Sequence, residues 1–204
     1  EDTCSLSFEA CDRIGWVSQE IDTLADLTAL WGTGEGTDLV IFVAGLDGTI
    51  WQWREGDWTY VSTTILPTAL WGTGPTDVFL VGHGGKVLHH DGASWSSQDS
   101  SVDQALTAVW GSGLDDVFAT GLGGAIVHYD GSEWSVQESF LEETGLLAVT
   151  GTGPANVWAA GQRGVMLHYD GARWSKVQLP TTITFRALHL SDPGDLWAAG
   201  DGGT

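Results

Sequence analysis

Histidines in this 204-residue sequence recur at one point of an internal pattern, as His89-His90, His128-Tyr129 and His168-Tyr169, with Gln52-Trp53 at the matching place upstream. A metal centre would need several such ligands to converge on one ion. Copies held in separate repeats do not meet, so the pattern predicts a histidine that hydrogen-bonds within its own unit. A second series, Asp38, Asp77, Asp116, Asn156 and Asp195, invites calcium, which takes hard oxygen donors. The neutral Asn156 argues against a charge and predicts an acceptor for turn amides. Glycine pairs such as Gly45 and Gly48, or Gly82 and Gly85, could cradle phosphate, but no helix and no Lys-Ser/Thr follows them, so they read as turns. Neither Gly-x-Ser-x-Gly nor His-Glu-x-x-His occurs. No catalytic residue, metal or cofactor is therefore assigned, and the chain reads as a binder more than an enzyme.

The elements that carry these residues are repeats. Ala29-Leu30-Trp31-Gly32-Thr33-Gly34 returns from Ala69, Ala108, Ala148 and, in part, Ala187, at spacings of 40, 39, 40 and 39 residues. Each unit continues with an Asp or Asn, an apolar run ending in Gly, a second Gly three residues on, and a closing Trp: Trp58, Trp95, Trp134 and Trp174. The pieces are short, rich in Val, Trp and Phe, and punctuated by Gly turns, which predicts four strands per unit. In the third unit these fall near residues 106–110, 117–120, 125–129 and 134–137, the last two joined by a tight Asp130-Gly131 turn. Small four-stranded sheets repeating at this interval predict an all-β, five-bladed β-propeller.

The motifs Trp-Gly-x-Gly, Asp-Val-x-x-x-Gly-x-x-Gly and His-Tyr-Asp-Gly-x-x-Trp resemble propeller repeats of bacterial extracellular proteins, and are loosely similar to kelch and Asp-box repeats. Residues 28–204 carry the resemblance, which implies fold more than activity. Arg54-Glu55 in place of Asp-Gly, Thr150 in place of Trp, and the lack of an intact Ser-x-Asp-x-Gly depart from it.

The chain is read as one domain: a closing segment at 1–27 and blades near 28–66, 67–105, 106–145, 146–184 and 185–204. A ring must join its last blade to its first. Asp12 to Trp16 matches the spacing of Asp130 to Trp134, so residues 15–21, and less securely 5–11, are expected to supply strands to blade five. A Cys4–Cys11 disulfide competes with the second of these strands, because seven extended residues span about 23 Å whereas a disulfide needs Cα atoms within about 7 Å. The chain starts at Glu1, which fits removal of a signal peptide or a segment of a longer protein. A secreted, cell-surface or periplasmic location is expected, where such a disulfide persists.

With 27 acidic against 7 basic side chains, the net charge of -20 would repel nucleic acid. No apolar stretch approaches the roughly 18 residues that cross a bilayer, so no membrane insertion is expected. Binding residues are sought where the copies disagree, on turns held by a rigid frame. The turns between second and third strands differ in every unit and bring forward Asp47, His83, Gln162, Arg163 and Asp201, with Lys86 just after the second. The recurring Trp residues read as inter-blade core, but Trp51 and Trp53 exceed the repeat and mark a second patch. The expected partner is a protein or glycan. Alternatives are a lectin with repeated sugar sites, or a glycan lyase or hydrolase in which His83 pairs with Asp47 or Asp201 at the channel mouth.

Overall fold

The computed structural model of the chain describes residues 21 and 23–203. Four sheets are four-stranded antiparallel meanders. The first holds β1 (Leu27–Thr33), β2 (Val40–Gly45), β3 (Thr49–Arg54) and β4 (Asp57–Ser62). The second holds β5 (Pro67–Gly74), β6 (Asp77–Gly82), β7 (Lys86–His90) and β8 (Trp95–Asp99). The third holds β9 (Leu106–Gly113), β10 (Asp116–Gly121), β11 (Ile126–Tyr129) and β12 (Trp134–Val136). The fourth holds β13 (Leu146–Gly153), β14 (Asn156–Gly161), β15 (Met166–Tyr169) and β16 (Trp174–Val177). The fifth sheet has two described strands, β17 (Phe185–Leu190) and β18 (Leu196–Gly200).

The first strands of successive sheets, β1, β5, β9, β13 and β17, pack side by side. One end of the space between them is lined by Thr28, Thr68, Thr107, Leu147 and Arg186, one from each sheet. Sheets that radiate from such an axis are the blades of a β-propeller. The burial follows. Both faces of a blade are covered by neighbours, so β6 is apolar past Asp77, with Val78, Phe79, Leu80 and Val81 all fully buried. The outer strand β8 is mostly polar because its outer edge meets water.

Three contacts recur at each of the three interfaces among blades one to four. Phe42, Phe79 and Phe118 are completely buried, each met edge-on by the closing Trp of the following blade. Trp95, Trp134 and Trp174 stand at centroid distances of 5.8, 5.9 and 5.7 Å and interplanar angles of 88, 82 and 84°. Burying one such ring contributes about 2 to 3 kcal/mol, and the edge-to-face geometry adds about 0.5 to 1.5. Next, the Trp of each Trp-Gly pair lies over the glycine of the next blade. A Cβ on Gly72 would stand 3.2 Å from the Trp31 ring, and one on Gly151 2.5 Å from that of Trp110. Finally, the Thr68 hydroxyl sits between the Leu106 carbonyl at 2.6 Å and that of Val81 at 3.0 Å. Thr28 and Thr107 bridge their blades in the same way.

The exceptions are matched in size. Thr150 stands at the Trp position of blade four, and Leu190, which is buried, stands at the glycine position of blade five. By the repeat positions, the loss of bulk at Thr150 faces the gain of bulk at Leu190.

One local expectation needs correction. Asp130-Gly131 is not a two-residue turn: Tyr129 pairs with Trp134, and the Asp130 amide donates to the Glu133 carbonyl across four turn residues. The Asp130 side chain accepts the Ser132 and Glu133 amides, which favours this wider turn. The two-residue hairpin occurs in blade one, where Glu55 and Gly56 take φ of 55° and 96° between paired Arg54 and Asp57.

Of the expected closed ring, the described residues form five sheets, and among them no strand joins blade five to blade one. Trp197, at the position of Phe79, is 66% exposed; Leu30, at that of Leu70, is 70% exposed against 9%. A Cβ on Gly203 would meet nothing, whereas on the equivalent Gly48 it would lie 2.5 Å from the Thr63 carbonyl. The strands expected at 5–11 and 15–21 and the Cys4–Cys11 pair lie outside the described residues, except Ile21. That residue is not in a strand, and it lines an apolar recess over blade one with Leu30, Ile41, Val43 and Trp58.

The Trp-Gly pairing is testable by a double-mutant cycle. Gly111→Leu should cost about 2 kcal/mol or more by overpacking against Trp71. Adding Trp71→Thr, which reproduces the Thr150 and Leu190 exchange, should recover at least about 0.5 kcal/mol relative to additivity in urea unfolding. Additive losses would show that the two positions are not a pair.

Candidate binding site

The histidine and aspartate series form one device in blades two, three and four. Asp77 at the start of β6 accepts His89 Nε2 of β7 at 2.7 Å on one oxygen and the Thr73 hydroxyl at 2.5 Å on the other. Asp116 does the same with His128 at 2.7 Å and with Ser112. In blade four Asn156 accepts His168 at 2.9 Å and donates its amide to Thr152. The histidines stack on the buried phenylalanines, at 4.3 Å for His89 on Phe79 and 4.2 Å for His128 on Phe118. The three residue types are those of a nucleophilic triad, but the carboxylate lies in the middle. A nucleophile needs its hydroxyl on the histidine, whereas here it donates to the acid, so the arrangement braces the hairpin.

This corrects the expectation that the Asp77 series accepts turn amides. That role belongs to the aspartates before the fourth strands. Asp91, Asp130 and Asp170 each accept two amides two and three residues ahead. Such bonds favour the ionised form. With the Ser132 hydroxyl as its first cause, the Asp130 carboxyl is held down at about 2, and the Ser94 amide foremost lowers Asp91.

The turns after the second strands lie at one end of the axis. Their first residues are fixed, since the His83, Gln162 and Asp201 amides donate to the carbonyls of Leu66, Gly145 and Thr184. A recess of about 390 Å³ opens among them, lined by Leu46, His83, Leu147, Arg186 and the bridging threonines. Of the nominated residues, His83 lines it. Asp201 sits beside it in a two-pronged ion pair with Arg186, a residue that sequence reasoning missed. Its signal was the position before Ala29, Ala69, Ala108, Ala148 and Ala187, where Thr gives way to Leu and then Arg. Asp47 accepts the Thr49 amide at 2.9 Å, which lowers its pKa. Gln162 accepts the Gly145 amide at 3.0 Å. Arg163 is exposed, at φ 56°.

Lys86 points elsewhere, into a groove of about 830 Å³ between blades one and two. Its apolar floor is Ile50, Ile65, Leu88 and Trp95; its walls carry Gln52, His90 and hydroxyls of both blades. Trp51 and Trp53 are on the opposite face of blade one. Trp51 packs on Tyr60 at 4.7 Å and Trp53 on Trp58 at 5.4 Å, at positions that other blades turn toward the preceding blade. The structure thus divides the nominated residues among the channel mouth, the groove and the seam face.

No protein-family profile and no curated protein matches the chain. Solved structures do. YCF48 from Cyanidioschyzon merolae superposes with a TM-score of 0.67 at 15% identity, over 90% of this chain and 67% of that one. The WD40 repeats of RRP9 give 0.68 at 12% identity, over 84% and 59%. BBS1N, in its complex with ARL6DN, gives 0.70 at 15% identity, over 92% and 67%. At such identities the likeness is one of fold, and it supports a β-propeller. The chain spans about three fifths of the RRP9 WD40 repeats.

Two outcomes test this local chemistry. Asp116→Ala should cost about 1 to 3 kcal/mol by stripping two donors of their acceptor, while Asp116→Asn, which copies Asn156, should cost far less in the same denaturation assay. For Asp130 the folded pKa lies below the unfolded value, so its contribution is complete above about pH 4 and fades as pH falls toward 2. Asp130→Asn should flatten the stability-versus-pH curve in that window, and an unchanged slope would refute the assignment.

Proposed function

We propose that this chain is a non-catalytic, extracellular protein-binding propeller that docks its partner in the groove between blades one and two. The observation that carries the reading is the groove itself, a recess of about 830 Å³ with an apolar floor and a polar wall, which is the make-up of a docking pocket. BBS1N, a propeller of similar fold, is a protein seen with a protein partner. The chain's acidity suits an extracellular setting, where a Cys4–Cys11 disulfide would persist. Ring closure belongs to the same proposal: residues 15–21, placed by an Asp12 to Trp16 spacing that matches Asp130 to Trp134, would supply a fourth strand to blade five and cover Trp197 and Leu30.

A protein partner is preferred to a glycan for a physical reason. A lectin with repeated sugar sites would present the recurring Trp faces to water, yet Trp134 and Trp174 are buried in blade interfaces. His83 and Asp201 offer little acid-base chemistry, since Asp201 is engaged by Arg186.

A photo-reactive phenylalanine at Ser97 on the groove wall should cross-link one protein from the secreted fraction of the source cells in a 1:1 product. Purified, that protein should bind about tenfold or more weakly when Val61→Trp fills the groove. Equal affinity for the filled variant, or cross-links to glycan alone, would remove the proposal.

A further inference from the structure

Of the sixteen residues that line the groove between blades one and two, none is acidic, although the chain has 27 Asp and Glu. The one full positive charge there is Lys86. Asp99 is its cross-strand neighbour on β8 but does not line the groove, and among the described residues no carboxylate makes an ion pair with Lys86. His90 lies in the wall, where burial foremost disfavours its charged form. In a molecule of net charge -20, Lys86 offers a carboxylate local attraction in a groove whose own lining carries no acid, the nearest acids being Asp99 across the strand pair and Asp103 in the adjoining recess.

A second, independent feature is the strand edge. β4 pairs with β3 and with no other described strand, so its outer edge has free backbone donors and acceptors. Residues 59–65 line the groove without interruption. Successive side chains of a strand point to opposite faces, so a run containing both parities borders the groove with its edge. The corresponding space between blades two and three is bridged by Gln98, whose amide oxygen accepts Trp134 Nε1 at 2.7 Å. Val61 stands at the Gln98 position in blade one and has no polar group to offer Trp95.

We infer that the groove takes an extended segment of the partner protein as an added strand on β4, with apolar side chains on the floor and a carboxylate at Lys86. This rests on the groove being the docking site. The six residues of β4 accommodate a segment of about 20 Å, at roughly 3.3 Å per residue. Strand addition draws its affinity from main-chain bonds and its specificity from alternate side chains, so the partner motif is short, alternately apolar, and acidic at one fixed place.

The probe is a random heptapeptide display library panned on the full chain, followed by calorimetry with the selected peptides. Selected peptides should share an Asp, Glu or terminal carboxylate at one position, slow amide exchange in residues 57–62, and bind about tenfold or more weakly to Lys86→Gln. Peptides that ignore Lys86→Gln but are lost on Val61→Trp would overturn this inference and leave the docking groove standing. Peptides indifferent to both variants would overturn both. A library that returns no groove-dependent binder, or a uronic-acid oligosaccharide that binds the groove and competes with the peptides, would also overturn the added strand.

Discussion

A sheet of four short strands whose two faces are both apolar cannot stand in water, and most features of this molecule follow from that. Each blade must be pressed between two others, so the interface is the unit of stability. The interface is built on a buried aromatic of one blade inserted edge-on into the closing Trp of the next, repeated at nearly the same distance three times. Bulk at one position demands its absence at another, which is why Trp and Gly travel together along the first strands, and why Thr150 in blade four coexists with Leu190 in blade five.

Polar groups inside this apolar stack have to be satisfied locally, because water is excluded. In blades two and three the aspartate, histidine and hydroxyl of the hairpin answer one another, and the histidine ring then lies flat against the buried phenylalanine. A constellation that could be mistaken for catalytic machinery is thus a structural part of the blade. Where the repeat is released from this duty, the surface becomes individual: the channel mouth gains an Arg186–Asp201 pair, and the first groove loses the bridge that Gln98 provides one blade later.

Particular residues show how far the sequence could be read. The four-strand rhythm was legible because apolar runs, Gly turns and closing Trp residues recur at nearly constant spacing, and strand limits follow from local chemistry. The identity of the acceptors was not. Asp77 and Asp130 are both aspartates beside turns, and which one receives amides depends on what lies opposite: for Asp77 a histidine across the hairpin, for Asp130 its own turn. Lys86 was grouped with His83 because only Gly84 and Gly85 separate them, yet β7 begins at Lys86 and its alternation turns Lys86 away from the channel. Arg186 was passed over because it sits inside an otherwise regular repeat.

By itself the sequence determined that the chain is all-β, built of blades, and glued by its repeated aromatics, because those properties depend on periodicity and side-chain volume, which are written along one dimension. Only the tertiary structure decided which variable residues share a surface. The groove combines the end of one blade with the middle of the next, and the excess tryptophans of blade one face the seam, because packing neighbours around an axis brings together residues that no local pattern relates.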